Sequence, residues 1–169
     1  RDSFEKTFIR ESRYKMFLDG LANTLIITVG ATLLGVIIGA LIAVVKTIHK
    51  QSGKLKILNG FCEVYTTVIR GIPVTVLLLI CFYIIFASAK DGVPVAIVAF
   101  GINSGAYVAE IIRGGLMSLD PGQAEAGRSL GLNYIDTMRL IVIPQAFKAI
   151  LPSLANEFII FCKIFIHGM

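Results

Sequence analysis

The chain has 169 residues, 56% of them hydrophobic, and a mean hydropathy of +0.80. That apolar content excludes an ordinary soluble domain, and several runs approach the ~20 apolar residues that cross a bilayer. Net charge is +5; without Lys/Arg runs interleaved with aromatics, this basic excess speaks for membrane topology and against nucleic acid.

Residues 1–19 form a mixed-charge tail with Phe4 and Phe8 one helical turn apart. It reads either as an interfacial helix or as a frayed end. The first span is 21–45, uninterrupted by charge, with Gly35 and Gly39 in a GxxxG step that permits close helix packing. Residues 46–56 carry Lys46, Lys50, Lys54 and Lys56 and no acid, so they read as a short cytoplasmic loop.

The second apolar stretch, 57–87, would be about 46 Å long as one straight helix, too long for a single crossing. Gly71-Ile72-Pro73 interrupts it, so a bend is predicted there, with Glu63 and Arg70 before the bend. Arg70 is expected to face protein or water. A small outer turn at 88–92 leads into the third span, 93–117. That span holds a second GxxxG step, Gly101 and Gly105. Asn103, Tyr107 and Glu110 lie on one of its faces, and Arg113 sits one turn from Glu110.

Residues 118–145 are the longest polar break, and they carry helix signals of their own. Asp120 is a predicted cap with Pro121 at the first helical position, and Gln123 stands where a capping box would be completed. Gly131 supplies a left-handed stop; Asn133 caps a second short helix, which Pro144 is expected to end. Ala124, Ala126 and Gly127 make the first helix small-faced. An ordinary connecting loop does not call for two capped helices, and a docking element for a second protein fits better. The fourth span, 146–166, contains Pro152, Asn156, Glu157 and Lys163; as the most polar span it is expected to be buried among other helices.

Parity puts 46–56 and 118–145 on one side and the tail 1–19 on the extracytoplasmic side. The tail's Arg1, Lys6, Arg10, Arg13 and Lys15 run against that placement; an upstream translocated domain would resolve the conflict. Cys62, Cys81 and Cys162 lie in or beside apolar runs without paired spacing and read as small buried thiols. His49 and His167 are isolated and form no metal-ligand pattern. No phosphate-binding loop, dinucleotide fingerprint or nucleophile elbow is present, so catalysis by this chain is not expected. The ionisable residues at membrane depth, Glu63, Arg70, Glu110, Arg113, Glu157 and Lys163, are candidates for a polar path, for internal ion pairs or for snorkelling to an interface.

Glu125-Ala126-Gly127, followed at the right spacing by Gly131 and by Ile141-Val142-Ile143-Pro144, resembles the Glu-Ala-Ala loop of binding-protein-dependent ABC importer permeases. Gly127 stands where that loop usually has Ala, and Ile143 where it has Leu. Gly20-Leu21-Ala22-Asn23-Thr24-Leu25, Arg70-Gly71-Ile72-Pro73, Tyr107-Val108-Ala109-Glu110 and Pro152-Ser153-Leu154-Ala155-Asn156-Glu157 resemble the polar amino-acid subfamily. The likeness covers roughly residues 18–163.

The resemblance implies an all-α polytopic membrane protein: a permease domain over 20–166, with four visible transmembrane helices of an expected five and a cytoplasmic coupling-helix loop. The C-terminal span is missing from the expected pattern. The implied role is the non-enzymatic transport subunit of an importer for polar amino acids in the bacterial cytoplasmic membrane. The implied partners are an extracytoplasmic amino-acid-binding protein, a second permease subunit and cytoplasmic ABC ATPases. The chain itself needs no cofactor, because ATP is bound by the ATPase. ATPase docking falls to Gln123, Glu125, Ala126, Gly127 and Gly131. Arg70, Asn103, Tyr107, Glu110 and Glu157 are the translocation-path candidates. A non-ABC channel or ion-coupled carrier, and a truncated non-transporting remnant, are the rival readings.

Overall fold

The computed structural model describes residues 13–167, and every regular element among them is helical. The first 12 residues of the 1–19 tail lie outside the described residues.

Helix α1 is Arg13–Ser52, longer at both ends than the expected span. The expected loop 46–56 shrinks to 53–55. No breaker precedes Gly53, and Thr47 and Ser52 satisfy their hydroxyls by donating back to the carbonyls of Ala43 and Ile48 at 2.7 and 2.8 Å. Gly53, at φ 67°, then stops the helix in the left-handed region.

Helix α2 is Lys56–Gly71 and α3 is Val74–Ile80, the latter extended by a π-helical turn, Cys81–Ile85. The two limbs meet at 106°. Pro73 has no amide hydrogen to donate and drives Ile72 into an extended conformation, φ −95° and ψ 128°, so the break falls at the predicted step. Helix α4 is Gly92–Met117, started by Asp91, whose carboxylate accepts from Val93 N at 3.0 Å. Helices α5, Pro121–Ser129, and α6, Tyr134–Thr137, occupy the polar break. A second π-helical turn, Met138–Val142, leads into α7, Ile143–His167.

Here the structure corrects the sequence reading, because Pro144 does not end the helix begun at Asn133. Ile143 N donates five residues back, to Met138 O, so the widened turn changes the bonding register just before the proline. The missing amide hydrogen of Pro144 then falls early in α7, and the chain runs on without a stop.

The spine is the pairing of α1 with α4, the most extensive helix contact. The two GxxxG steps face each other across it. A side chain on Gly39 would start 2.6 Å from Val108 Cγ1, one on Gly105 2.7 Å from Ile38 Cγ2, and one on Gly35 would strike Ser104. Absence of these Cβ atoms lets the backbones approach, which is how helices associate in lipid. Ile27, Ala31, Ala96 and Phe100 fill one end of the seam, and Leu77, Cys81, Val95 and Ala99 join α3 to it.

Among the described residues, three helical segments are long and apolar enough to cross a membrane: Leu18–Lys50, Gly92–Met117 and Tyr134–Ile160. The bent α2–α3 pair makes a fourth if it counts as one span. The protein is an all-α, polytopic membrane fold. The expected burial of the last span is not found. Within the most apolar window of each, 61% of α4 is buried but only 11% of the segment leading into α7. Ala146 and Ile150 are buried, with Gly115 of α4 making room for Ile150, and Phe147, Leu151 and Ile159 are exposed. One strip of contact is all that a helix at the edge of the bundle obtains.

Candidate functional site

The break between α2 and α3 forms one wall of a cavity of about 420 Å³. Arg70, on the last turn of α2, enters it with Gly71, Ile72 and Pro73. Asn103 and Tyr107 line it from α4, one helical turn apart, and Glu157 lines it from α7. The Arg70 guanidinium lies 5.4 Å from the centroid of the Tyr107 ring, a cation–π contact that holds the side chain toward the cavity. Asn103 is only 6% exposed. A guanidinium, a carboxylate, an amide and a phenol thus share one pocket, a set able to hold a small molecule bearing both an anionic and a cationic group.

Glu110 shares a face of α4 with Asn103 and Tyr107, but it does not line this cavity. One turn further along, its carboxylate accepts from Lys46 Nζ at 2.8 Å through one oxygen and from Arg113 Nε at 2.8 Å through the other. The Glu110–Arg113 pair is the one expected from i, i+3 spacing. Lys46 was not expected there. Read as part of a cytoplasmic loop, it is a helical residue 6% exposed, which also donates to Thr66 Oγ1 at 3.0 Å and reaches Glu63 at 3.3 Å. Lys46 is thus the buried charge partner that sequence reasoning missed. A signal existed: Glu63 and Glu110 are acids in apolar runs and need a cation, and Lys46 ends the apolar run of α1.

The polar break folds as a compact helical unit. Asp120 accepts from Gly122 N at 2.8 Å, with Pro121 in the first turn. The expected capping box does not close. Gln123 Oε1 instead accepts from Gln145 Nε2 at 2.9 Å, because α7 starts directly behind α5 and offers the amide a partner 22 residues away. At the far end Leu132 N donates to Gly127 O and Gly131 N to Arg128 O, with Gly131 at φ 79°. These bonds make a Schellman stop, which satisfies the last carbonyls of α5. Asn133 then accepts from Asp136 N at 2.9 Å and starts α6.

The docking candidates divide by direction. Glu125 and Ala126 are exposed. Gly127 is buried, and a Cβ there would lie 2.7 Å from Thr137 Cγ2. Its smallness serves the chain's own α5–α6 packing. Gln123 is tied to α7 and Gly131 shapes the exit from α5.

The family described as "Binding-protein-dependent transport system inner membrane component" matches this chain over residues 35–168. The L-cystine transport system permease protein TcyB of Bacillus subtilis (strain 168) is 37% identical over 145 residues, covering 85% of this chain and 62% of that protein. The chain therefore spans less than two thirds of this relative's length. A crystal structure of an amino acid ABC transporter with histidines has a TM-score of 0.80 at 39% identity, over 96% of this chain and 77% of that one. An inward-facing MetNI methionine ABC transporter shares the fold, with a TM-score of 0.75 at 21% identity over 91% and 73% of the two chains. By fold, by family match and by the likeness of its relatives, this chain belongs to the inner-membrane components of binding-protein-dependent transport systems, a family of transport subunits and not of enzymes.

Proposed function

We propose that this chain is the permease subunit of an ATP-driven importer for polar amino acids in the bacterial cytoplasmic membrane. The observation that carries the reading is the cavity of Arg70, Asn103, Tyr107 and Glu157. An α-amino acid presents a carboxylate and an ammonium a few ångströms apart. Arg70 suits the first and Glu157 the second, with Asn103 and Tyr107 left for the polar side chain. The amino-acid relatives named above support the same substrate class.

An extracytoplasmic binding protein delivers the amino acid, and a second permease subunit completes the path. Cytoplasmic ABC ATPases dock on α5. Glu125 and Ala126 are the contacts they touch; Gln123, Gly127 and Gly131 set the helix at the angle docking requires. Closure of the ATPases pulls the α5 helices of the two subunits together and switches the spans from inward-open to outward-open. In this arrangement 53–55 and 118–145 face the cytoplasm and 86–91 faces out.

The test is uptake into proteoliposomes holding the complete transporter, with its binding protein and a panel of radiolabelled amino acids. We expect ATP-dependent accumulation of at least one polar amino acid. Arg70→Ala and Glu157→Ala should each lower it by about tenfold or more, the weight of a lost charged hydrogen bond. Uptake without ATP, or normal uptake in both variants, overturns the reading.

A further inference from the structure

Helix α2 is held in an unusual way. Unwound joints flank it on both sides: Gly53 at φ 67° and Leu55 at φ 60° before it, extended Ile72 and Pro73 after it. Leu55 has no steric reason to prefer the left-handed region, so that joint is strained. Between the joints α2 touches the bundle along a narrow strip. Thr66 is its one buried residue, and Ile57, Phe61 and Val64 are 80%, 70% and 63% exposed.

The polar contacts that fasten it are few. Tyr65 donates to Ile102 O at 2.5 Å, Arg70 stacks on Tyr107, and Lys46 reaches Thr66 and Glu63. The Lys46 contacts lie one turn from the Arg70–Tyr107 contact on both helices: Thr66 precedes Arg70 by four residues on α2, and Glu110 follows Tyr107 by three on α4. Lys46, Thr66 and Glu110 thus lie one turn beyond Arg70 and Tyr107, which line the cavity.

This cluster, one turn beyond the cavity, has a fixed half and a loose half. Lys46, Glu110 and Arg113 form a short-bonded triad between α1 and α4, the two helices most closely packed. Glu63 belongs to α2, is 55% exposed, and meets Lys46 at the longer distance of 3.3 Å. Exchange of that contact for water costs little, because Lys46 keeps its Glu110 partner.

We propose that Lys46 is the positioning residue of the amino-acid cavity: anchored to Glu110, it latches α2 through Thr66 and Glu63, and release of that latch lets α2 swing on the joints at 53–55 and 72–73. The swing carries Arg70 away from Tyr107 and opens the cavity toward the cytoplasm. The latch rests on the importer reading only for what passes through the cavity.

Hydrogen–deuterium exchange on the complete transporter in nanodiscs, paired with uptake kinetics, tests it. Lys46→Met should raise exchange of the α2 amides, residues 56–71, by about tenfold while α4 stays protected. Glu63→Gln, which alters an exposed side chain and leaves the triad intact, should raise α2 exchange by a smaller factor. Lys46→Arg should keep α2 protected. In uptake, both loosened variants should raise KM several-fold with the ATPase still bound. Unchanged α2 exchange in Lys46→Met and Glu63→Gln overturns the latch, as does an equal rise in every helix, the mark of general destabilisation. If α2 loosens selectively but the wild-type transporter moves no amino acid, the importer reading falls and the latch stands.

Discussion

Glu110 is shared by two cations, and its own position on α4 brings only one of them. Arg113 comes with the helix repeat; Lys46 comes from 64 residues away. Glu110→Gln would leave Lys46 and Arg113 facing a neutral amide in a site where Lys46 is almost fully buried. Breaking such an arrangement costs about 3 kcal/mol, the lower end for a buried pair because Arg113 is half exposed. The expected result is a lowered midpoint in detergent-induced unfolding; a midpoint equal to wild type would mean that Glu63 and Thr66 already suffice for Lys46. Gly127 makes a second residue-scale case. Its place in the loop motif is plain in the sequence, yet its burial against Thr137 is visible only after α6 has folded back on α5. Gly127→Val should displace α5 and abolish ATPase retention in a pull-down while membrane insertion stays normal. Full retention would mean that the α5–α6 packing can shift without loss of the docking surface.

At the scale of elements, the local chemistry of the chain was largely readable. Asp120, Gly131 and Asn133 act as caps and stops because their contacts span two to five residues, within reach of any sequence pattern. The Gly71-Ile72-Pro73 break is legible for the same reason. Gln123 and Pro144 depart from their local patterns because the competing interaction lies elsewhere: the Gln123 amide meets Gln145 across two helices, and Pro144 is accommodated by a π turn upstream. Gly131→Val tests the element logic. A β-branched residue at φ 79° costs about 1–2 kcal/mol and should loosen the α5 exit, read as faster amide exchange at 130–133. For the α1–α4 seam, Gly39→Leu would set a Cβ 2.6 Å from Val108 Cγ1 and 2.8 Å from the Ala109 nitrogen. Backbone cannot rotate out of the way, so an overpacking penalty of about 1–3 kcal/mol or more is expected, with the helix pair forced apart. Unfolding in detergent reads this, and an undiminished midpoint would show that the seam can open at no cost.

For the whole molecule, the bundle has one well-packed seam and one edge. The α1–α4 seam is small-residue packed, α2–α3 wraps it as a broken span, and α7 leans on it with much of its apolar surface outward. Sidedness is the prediction that belongs at this scale. In a background with Cys62, Cys81 and Cys162 replaced by alanine, Lys50→Cys and Glu125→Cys should react with an impermeant maleimide from the same side of the membrane, and Asp91→Cys from the other. Labelling of Lys50→Cys and Glu125→Cys from opposite sides would break the parity of the spans.

What the sequence by itself determined is what depends on neighbours a turn or two away: helical spans from apolar length, the break from proline, the capped helices of the polar segment from Asp, Gly and Asn, and a family likeness from spacing. What only the tertiary structure decided is which charges meet. Arg70, Asn103, Tyr107 and Glu157 come from three helices into one cavity, while Glu110 turns from that cavity to a lysine that reads, in sequence, as part of a surface loop. A charge at membrane depth must find a partner or water, but the sequence states only the need. Which partner answers it is settled by the close approach of α1 and α4, whose glycines bring Lys46 and Glu110 to 2.8 Å.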